Sequence, residues 1–287
     1  MSGESDRALV GALSQPRFEL IPMEGASGRA AQLPKGAKIA ISCSPTQGIE
    51  RTLLLGEELL HRGFRVVPHV AARLVADRVH LEEIARRLEG LGVKEIFVIG
   101  GDTKKPDGPF SSAFELLSAM EDLGHHFERV GIGGYPEGHP VIDGDTLLHA
   151  LLDKRAFATY VVTQMCFDPG AILDWMTDMR RRGIDLPVYV GLPGAVERKK
   201  LLRISLKIGV GDSARFLTKH TNVLTEYLRS GRYSPEKLVK DLAQYLGDRD
   251  YNIAGFHIYT FNQVQSTEQW RIKMLGSGRA DSAVSAP

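Results

Sequence analysis

The chain has 287 residues, with 36 Lys and Arg against 35 Asp and Glu, so no global field attracts nucleic acid or an anionic membrane and the expected partner is a small molecule. Its two cysteines, Cys43 and Cys166, each lie inside an apolar run, which excludes a disulfide framework and indicates a reducing, cytoplasmic compartment. The opening "MSGESDRALVGALSQ" carries acids where a secretory signal needs basic residues, and no apolar run reaches bilayer length.

Residues 1–14 are weakly patterned and are expected to be a flexible segment, ahead of a single catalytic domain over 15–275. Apolar runs then recur between Gly, Pro and Asp: "RFELIPM" (17–23), "KIAISCS" (38–44), "FRVVPHV" (64–70) and "EIFVIGGD" (95–102). They continue with "RVGIGGY" (129–135), "TYVVTQMCF" (159–167), "LPVYVGLP" (186–193) and "AGFHIYTF" (254–261). Such near-continuous runs suit parallel strands buried on both faces.

Helical periods lie between the runs. In "HLEEIARRLEGLG", Leu81, Ile84, Ala85, Leu88 and Leu91 share one face; in "PGAILDWMTDMRRRG", Pro169 opens, Arg180 to Arg182 close and Gly183 stops. Three helical patterns between Ala195 and Gly247 interrupt the alternation, and "GSGRADSAVSAP" (276–287) is expected to be a disordered tail.

Eight strands alternating with helices predict an α/β fold, a (β/α)8 TIM barrel with extra helices before the last strand. A doubly wound open sheet would also alternate strands and helices, but no G-x-G-x-x-G turn follows a strand.

In a barrel of parallel strands, reacting groups stand where strands end and loops begin. Polar residues interrupting or closing the runs are Glu19, His69, Asp102, Tyr135, His139, Gln164 and Tyr259. Singly each has a plainer reading: a solvated strand end for Glu19, a hydrogen-bonded structural imidazole for His69, a turn cap for Asp102, a core aromatic for Tyr259. His125 and His126 lack partners at ligand spacing, so no metal is expected. No nucleophile elbow or P-loop occurs, and "RRRG" and "ERKK" read as helix ends and solvated faces.

The order "FELIP", "VVPH", "IGGD", "GYPEGHP", "VTQMCFD", "GFHIYTFN" over residues 17–265 resembles the methylenetetrahydrofolate reductase family. The resemblance implies reduction of 5,10-methylenetetrahydrofolate to 5-methyltetrahydrofolate with a nicotinamide donor, usually through FAD. It implies Glu19 as general acid, Asp102 as active-site acid, Gln164 as the pterin-binding amide and Tyr259 as a further folate contact. The chemistry asks for those types: the bridging carbon accepts hydride only after the five-membered ring opens to an iminium, and a proton on the ten-position nitrogen helps it open. Glu19, beside Phe18, Leu20, Ile21 and Pro22, is expected to be held protonated by desolvation if it faces the barrel interior, with ionised Asp102 stabilising the cation.

Several flavin contacts depart from the family pattern. Gly100 replaces an Arg before the Gly-Asp pair, Thr146 an acid, and Asp153 a Lys, with Lys154 adjacent; apart from the flavin contacts, Gln263 stands where the family has an Arg and Lys199, if the loop is ungapped, where it has a folate-contacting Gln. FAD is therefore doubtful, and NADH is expected as direct hydride donor, contacted by His69, Tyr135 and His139. The alternatives are a conventional FAD-dependent enzyme and a folate-binding or sensing protein without catalysis. No obligate protein partner is expected.

Overall fold

The computed structural model describes residues 3–208 and 231–284. Each of the eight apolar runs coincides with a strand to within a residue at its ends or lies around it: β1 (Arg17–Leu20), β2 (Lys38–Ile41), β3 (Arg65–Ala71), β4 (Glu95–Ile99), β5 (Arg129–Gly134), β6 (Tyr160–Thr163), β7 (Val188–Pro193) and β8 (Ile253–Tyr259). Neighbours pair in parallel in sequence order, and β8 pairs with β1, closing an α/β TIM barrel. The helices among the described residues are α1 (Gly3–Ser14), α2 (Ala26–Ala30), α3 (Gly48–His61), α4 (Arg78–Gly90), α5 (Ala113–Asp122), α6 (Gly144–Lys154), α7 (Pro169–Arg181), α8 (Arg198–Ile208), α9 (Glu236–Leu242) and α10 (Val264–Val284). Of the three patterns expected between β7 and β8, two become α8 and α9; the third lies outside the described residues.

Local chemistry explains the helix boundaries. Asp77 caps α4 by accepting from His80 N–H at 2.8 Å, and Leu81, Ile84 and Leu88 form its buried face. Asp168 caps α7, Pro169 takes its first position, and Gly183, at φ +71°, ends it in the left-handed region.

Both termini correct the sequence reading. Residues 3–14 are helical rather than flexible: Leu9 and Leu13, four apart on one face, are buried, and Arg271 on α10 donates to Leu13 O at 2.9 Å while its fork holds Glu268 at 2.7 Å. From residue 276, expected to be disordered, α10 continues to Val284. A helix already anchored by buried Trp270 and Met274 extends without a new nucleation step, which composition does not reveal.

The main core lies between sheet and helices. A second cluster fills the barrel itself, with Ala40, Val67, Phe97, Tyr160 and Val162 buried and Ile99 and Tyr189 against them. The N-terminal end of the barrel is closed by charge. Arg17 Nη1 and Lys38 Nζ each approach Glu95 at 2.5 Å, and the Arg17 guanidinium lies between the rings of Tyr160 and Tyr189, 4.1 and 3.9 Å from their centroids. Gly131 makes this possible, since a Cβ there would meet the Tyr160 ring at 2.3 Å. With its floor filled, the barrel is open to chemistry only at the C-terminal end of its strands.

Candidate active site at the barrel mouth

β1 and β8 pair Arg17 with His257 and Glu19 with Tyr259. Side chains alternate along a strand, so these four face the interior, while Phe18, Leu20, Phe256 and Ile258 pack outward in the main core. His257 Nε2 lies 3.0 Å from Glu19 Oε2, and His69 Nε2, from β3, lies 3.8 Å from the same oxygen. His257 and His69 are 2% and 6% exposed.

The electrostatics correct one expectation. Burial raises the proton affinity of Glu19, but the hydrogen bond to His257 and the neighbouring imidazoles outweigh it, and the carboxyl sits below its ordinary range. The apolar neighbours in "FELIP" do not surround the Glu19 side chain: Phe18 and Leu20 face outward, and inside the barrel Glu19 meets two imidazoles. Burial drives His69 down to about 4, so it is neutral near pH 7, leaving the His257 hydrogen bond as the contact that holds Glu19 ionised.

The loop after β8 fixes Glu19 from the backbone side. Thr260 Oγ1 donates to Glu19 O at 2.6 Å, while the Asn262 side chain accepts from Ile21 N–H and donates to Ile21 O, both at 2.9 Å. Phe261 and Asn262 adopt φ values of 48° and 61°, a left-handed turn that these bonds sustain. Tyr259 donates to Thr163 O at 2.9 Å; Gly191 leaves room for it, since a Cβ there would stand 2.1 Å from that oxygen and 2.7 Å from the Tyr259 ring. Burial, then Glu19 and Tyr135, push the Tyr259 phenol well above its usual range, so it stays protonated.

Tyr135 and His139, from the "GGYPEGHP" segment, meet edge to face with ring centroids 5.4 Å apart. Burial and then Asp102 raise Tyr135; burial lowers His139 while Asp102 pulls it up, which places the three in one neighbourhood. Asp102 is exposed on the loop after β4. That loop is strapped to the turn after β3 by Arg73, whose Nε donates to Ser111 O at 2.9 Å and Nη1 to Thr103 O at 3.0 Å. Gln164 follows β6 with its carbonyl turned onto Met165 N–H at 2.8 Å. Beside it Met165, Phe167, Val196 and Leu201 form a buried apolar cluster, with Tyr233, Tyr259 and Phe261 partly buried against it.

Sequence reasoning thus named Glu19, His69, Tyr259, Tyr135, His139 and Asp102, which converge, and Gln164 at the rim. It passed over His257 and Arg73. The signal for His257 was the alternation Gly255, His257, Tyr259 within an apolar run, which marks an inward face.

The model of the methylenetetrahydrofolate reductase family matches residues 59–274. The chain belongs to that family. Its relatives include methylenetetrahydrofolate reductase 2 of Saccharomyces cerevisiae, 25% identical over 183 residues (60% of this chain, 30% of the relative). Another is methylenetetrahydrofolate reductase (NADH) 1 of Arabidopsis thaliana, 27% identical over 153 residues (46% of this chain, 26% of the relative). The chain therefore matches less than a third of the length of either. An uncharacterized protein from Clostridium thermocellum, described as binding two copies of 5-methyl-5,6,7,8-tetrahydrofolic acid, shares the fold with a TM-score of 0.62 at 11% identity, over 97% of this chain and 98% of that one.

At the positions that the family resemblance pairs with flavin contacts, the anchoring groups do not fit. Gly100 offers no side chain, Thr146 donates its hydroxyl and N–H to Asp143 at 2.7 and 2.9 Å as part of the α6 cap, and Asp153 is exposed. Lys154, the adjacent cation, is partly buried and lowered by burial to about 8. At the two changed positions outside the flavin set, Gln263 accepts from Glu197 N–H at 3.0 Å and Lys199 is exposed.

Proposed function

We propose that this chain reduces 5,10-methylenetetrahydrofolate to 5-methyltetrahydrofolate with hydride taken directly from NADH, in one ternary complex without flavin. The observation that carries the reading is the half-buried Glu19 carboxyl at the barrel mouth, held by His257 and adjoined by His69 and Tyr259, in a chain of this family.

Glu19 delivers a proton to the ten-position nitrogen of the folate, and the five-membered ring opens to an iminium. A ligand across the mouth excludes water from Glu19, which raises its proton affinity from the depressed value of the open site. Asp102, at the rim, stabilises the cation and hydrogen-bonds the pterin, with the Gln164 amide on the pterin edge. Tyr259, packed against the apolar cluster, holds the aminobenzoyl ring. Tyr135, His139 and His69 contact the dinucleotide, whose hydride completes the methyl group. One NADH and one proton are consumed for each methyl group formed. Direct transfer is favoured by the absence of fitting groups at Gly100, Thr146 and Asp153, and NADH by the name of the Arabidopsis relative.

The test is the visible spectrum of the desalted protein, followed by oxidation of NADH and NADPH with methylenetetrahydrofolate, with and without added FAD. The expected result is no flavin band, with NADH oxidation that depends on the folate and ignores FAD. A stoichiometric flavin band, or activity requiring FAD, overturns direct transfer; folate binding without turnover makes the chain a sensor.

A further inference from the structure

We propose that His257 is a positioning residue for the general acid: by clamping Oε2 of Glu19, it directs the transferable proton to Oε1 and governs how readily that proton is held. The inference rests on the reductase reading for its catalytic consequence, though not for the clamp itself.

The hydrogen-bond pattern carries it. His257 Nδ1 is buried with no partner among the described residues, whereas Nε2 faces Glu19 Oε2 at 3.0 Å. A protonated Nδ1 would leave a buried N–H without an acceptor, so the proton belongs on Nε2 and is donated to Glu19. Oε2 therefore acts as an acceptor in both protonation states of Glu19, and a proton taken up by the carboxyl goes to Oε1, which accepts no hydrogen bond from the described residues. When Glu19 gives that proton to the folate nitrogen, the O–H bond breaks, an N–H bond forms, and the carboxylate left behind keeps its His257 bond.

The groups facing this pair come from several strands. Ala40 is the β2 residue in register with Glu19 and has nothing to titrate; β8 contributes Tyr259, whose ring lies 4.9 Å from that of His257. His69 on β3 is 3.8 Å from Oε2, too long for a hydrogen bond, and its Nε2 is unpartnered among the described residues. Tyr135, just after β5, acts through Tyr259, and Asp102 after β4 through Tyr135. Tyr259 is already committed to Thr163 O. Among these groups His257 alone makes a direct hydrogen bond to the Glu19 carboxyl.

The experiment compares His257→Leu, His257→Asn and His257→Gln in the full chain. The Gln amide reaches the place of Nε2 and retains a donor; the Leu and Asn side chains do not. Loss of the donor is expected to raise the Glu19 titration by about 1 to 2 pH units, seen as the same upward move in the alkaline limb of kcat. Gln is expected to restore the wild-type limb. NMR titration of carbon-13-labelled glutamate in the ligand-free proteins, with Glu19 assigned by its loss in Glu19→Gln, reads the clamp without any turnover. An unchanged Glu19 titration in folded Leu and Asn variants overturns the inference even if wild type is an active reductase. A shifted titration in a wild-type background without turnover upholds the clamp and rejects the reductase reading instead.

Discussion

Glu95→Gln removes the one carboxylate at the centre of the barrel floor while keeping its shape. Arg17, with a side chain 3% exposed, then loses its counter-charge between the rings of Tyr160 and Tyr189, and Lys38 and Arg129 lose theirs at the edge. Breaking a buried pair from one side costs about 3 to 5 kcal/mol, because the remaining charge is left uncompensated. Lys38 and Arg129 have side chains 19% and 38% exposed, where water screens them, so the cost centres on Arg17. For 287 residues the unfolding entropy near the midpoint is about 0.6 kcal/mol/K, which converts the loss to a fall in Tm of about 5 to 8 °C. Calorimetry or urea unfolding measures it directly. Glu95 is raised by burial but lowered further by Arg17 and Lys38, so its contribution is present above the ordinary carboxylate range and lost as pH falls. A loss below about 1 kcal/mol would refute the floor as a compensated charge cluster.

Glu19→Gln is expected to lower turnover by about 10² to 10⁴ while folate binding, followed by fluorescence or calorimetry, persists; normal turnover would remove Glu19 from the mechanism. Gly191→Ala places a Cβ 2.1 Å from Thr163 O and 2.7 Å from the Tyr259 ring, and a loss of about 1 to 3 kcal/mol in urea unfolding is expected, with Tyr259 displaced. Below pH 6.5 the unfolded state protonates the His69 imidazole while the folded state holds it neutral until about 4. Stability therefore falls with pH across that window by about 3 kcal/mol, and His69→Phe is expected to flatten that part of the unfolding curve.

The barrel was legible because parallel strands buried on both faces leave long apolar runs, and the punctuation of α7 by Pro169 and Gly183 was equally open. The terminal helices were not, because α1 presents only Leu9 and Leu13 to the core and the end of α10 has a composition that reads as unstructured. Within the site, Glu19 and Tyr259 could be picked out as polar interruptions, but the protonation of Glu19 could not. It depends on which way Phe18 and Leu20 point and on His257, 238 positions away in the chain. Linear neighbours described the outer face of β1, and the chemistry lies on the inner one.

The seam between β1 and β8 joins the first strand of the barrel to be synthesised with the last. Glu19 leaves the ribosome long before His257, Thr260 and Asn262 exist to hold it, so a nascent chain carries the acid without its clamp. Ring closure and assembly of the reactive centre are thus one event, deferred until the last strand docks. Partial barrels that stop short of that docking hold Glu19 without its clamp, and the appearance of a clamped Glu19 marks closure of the barrel.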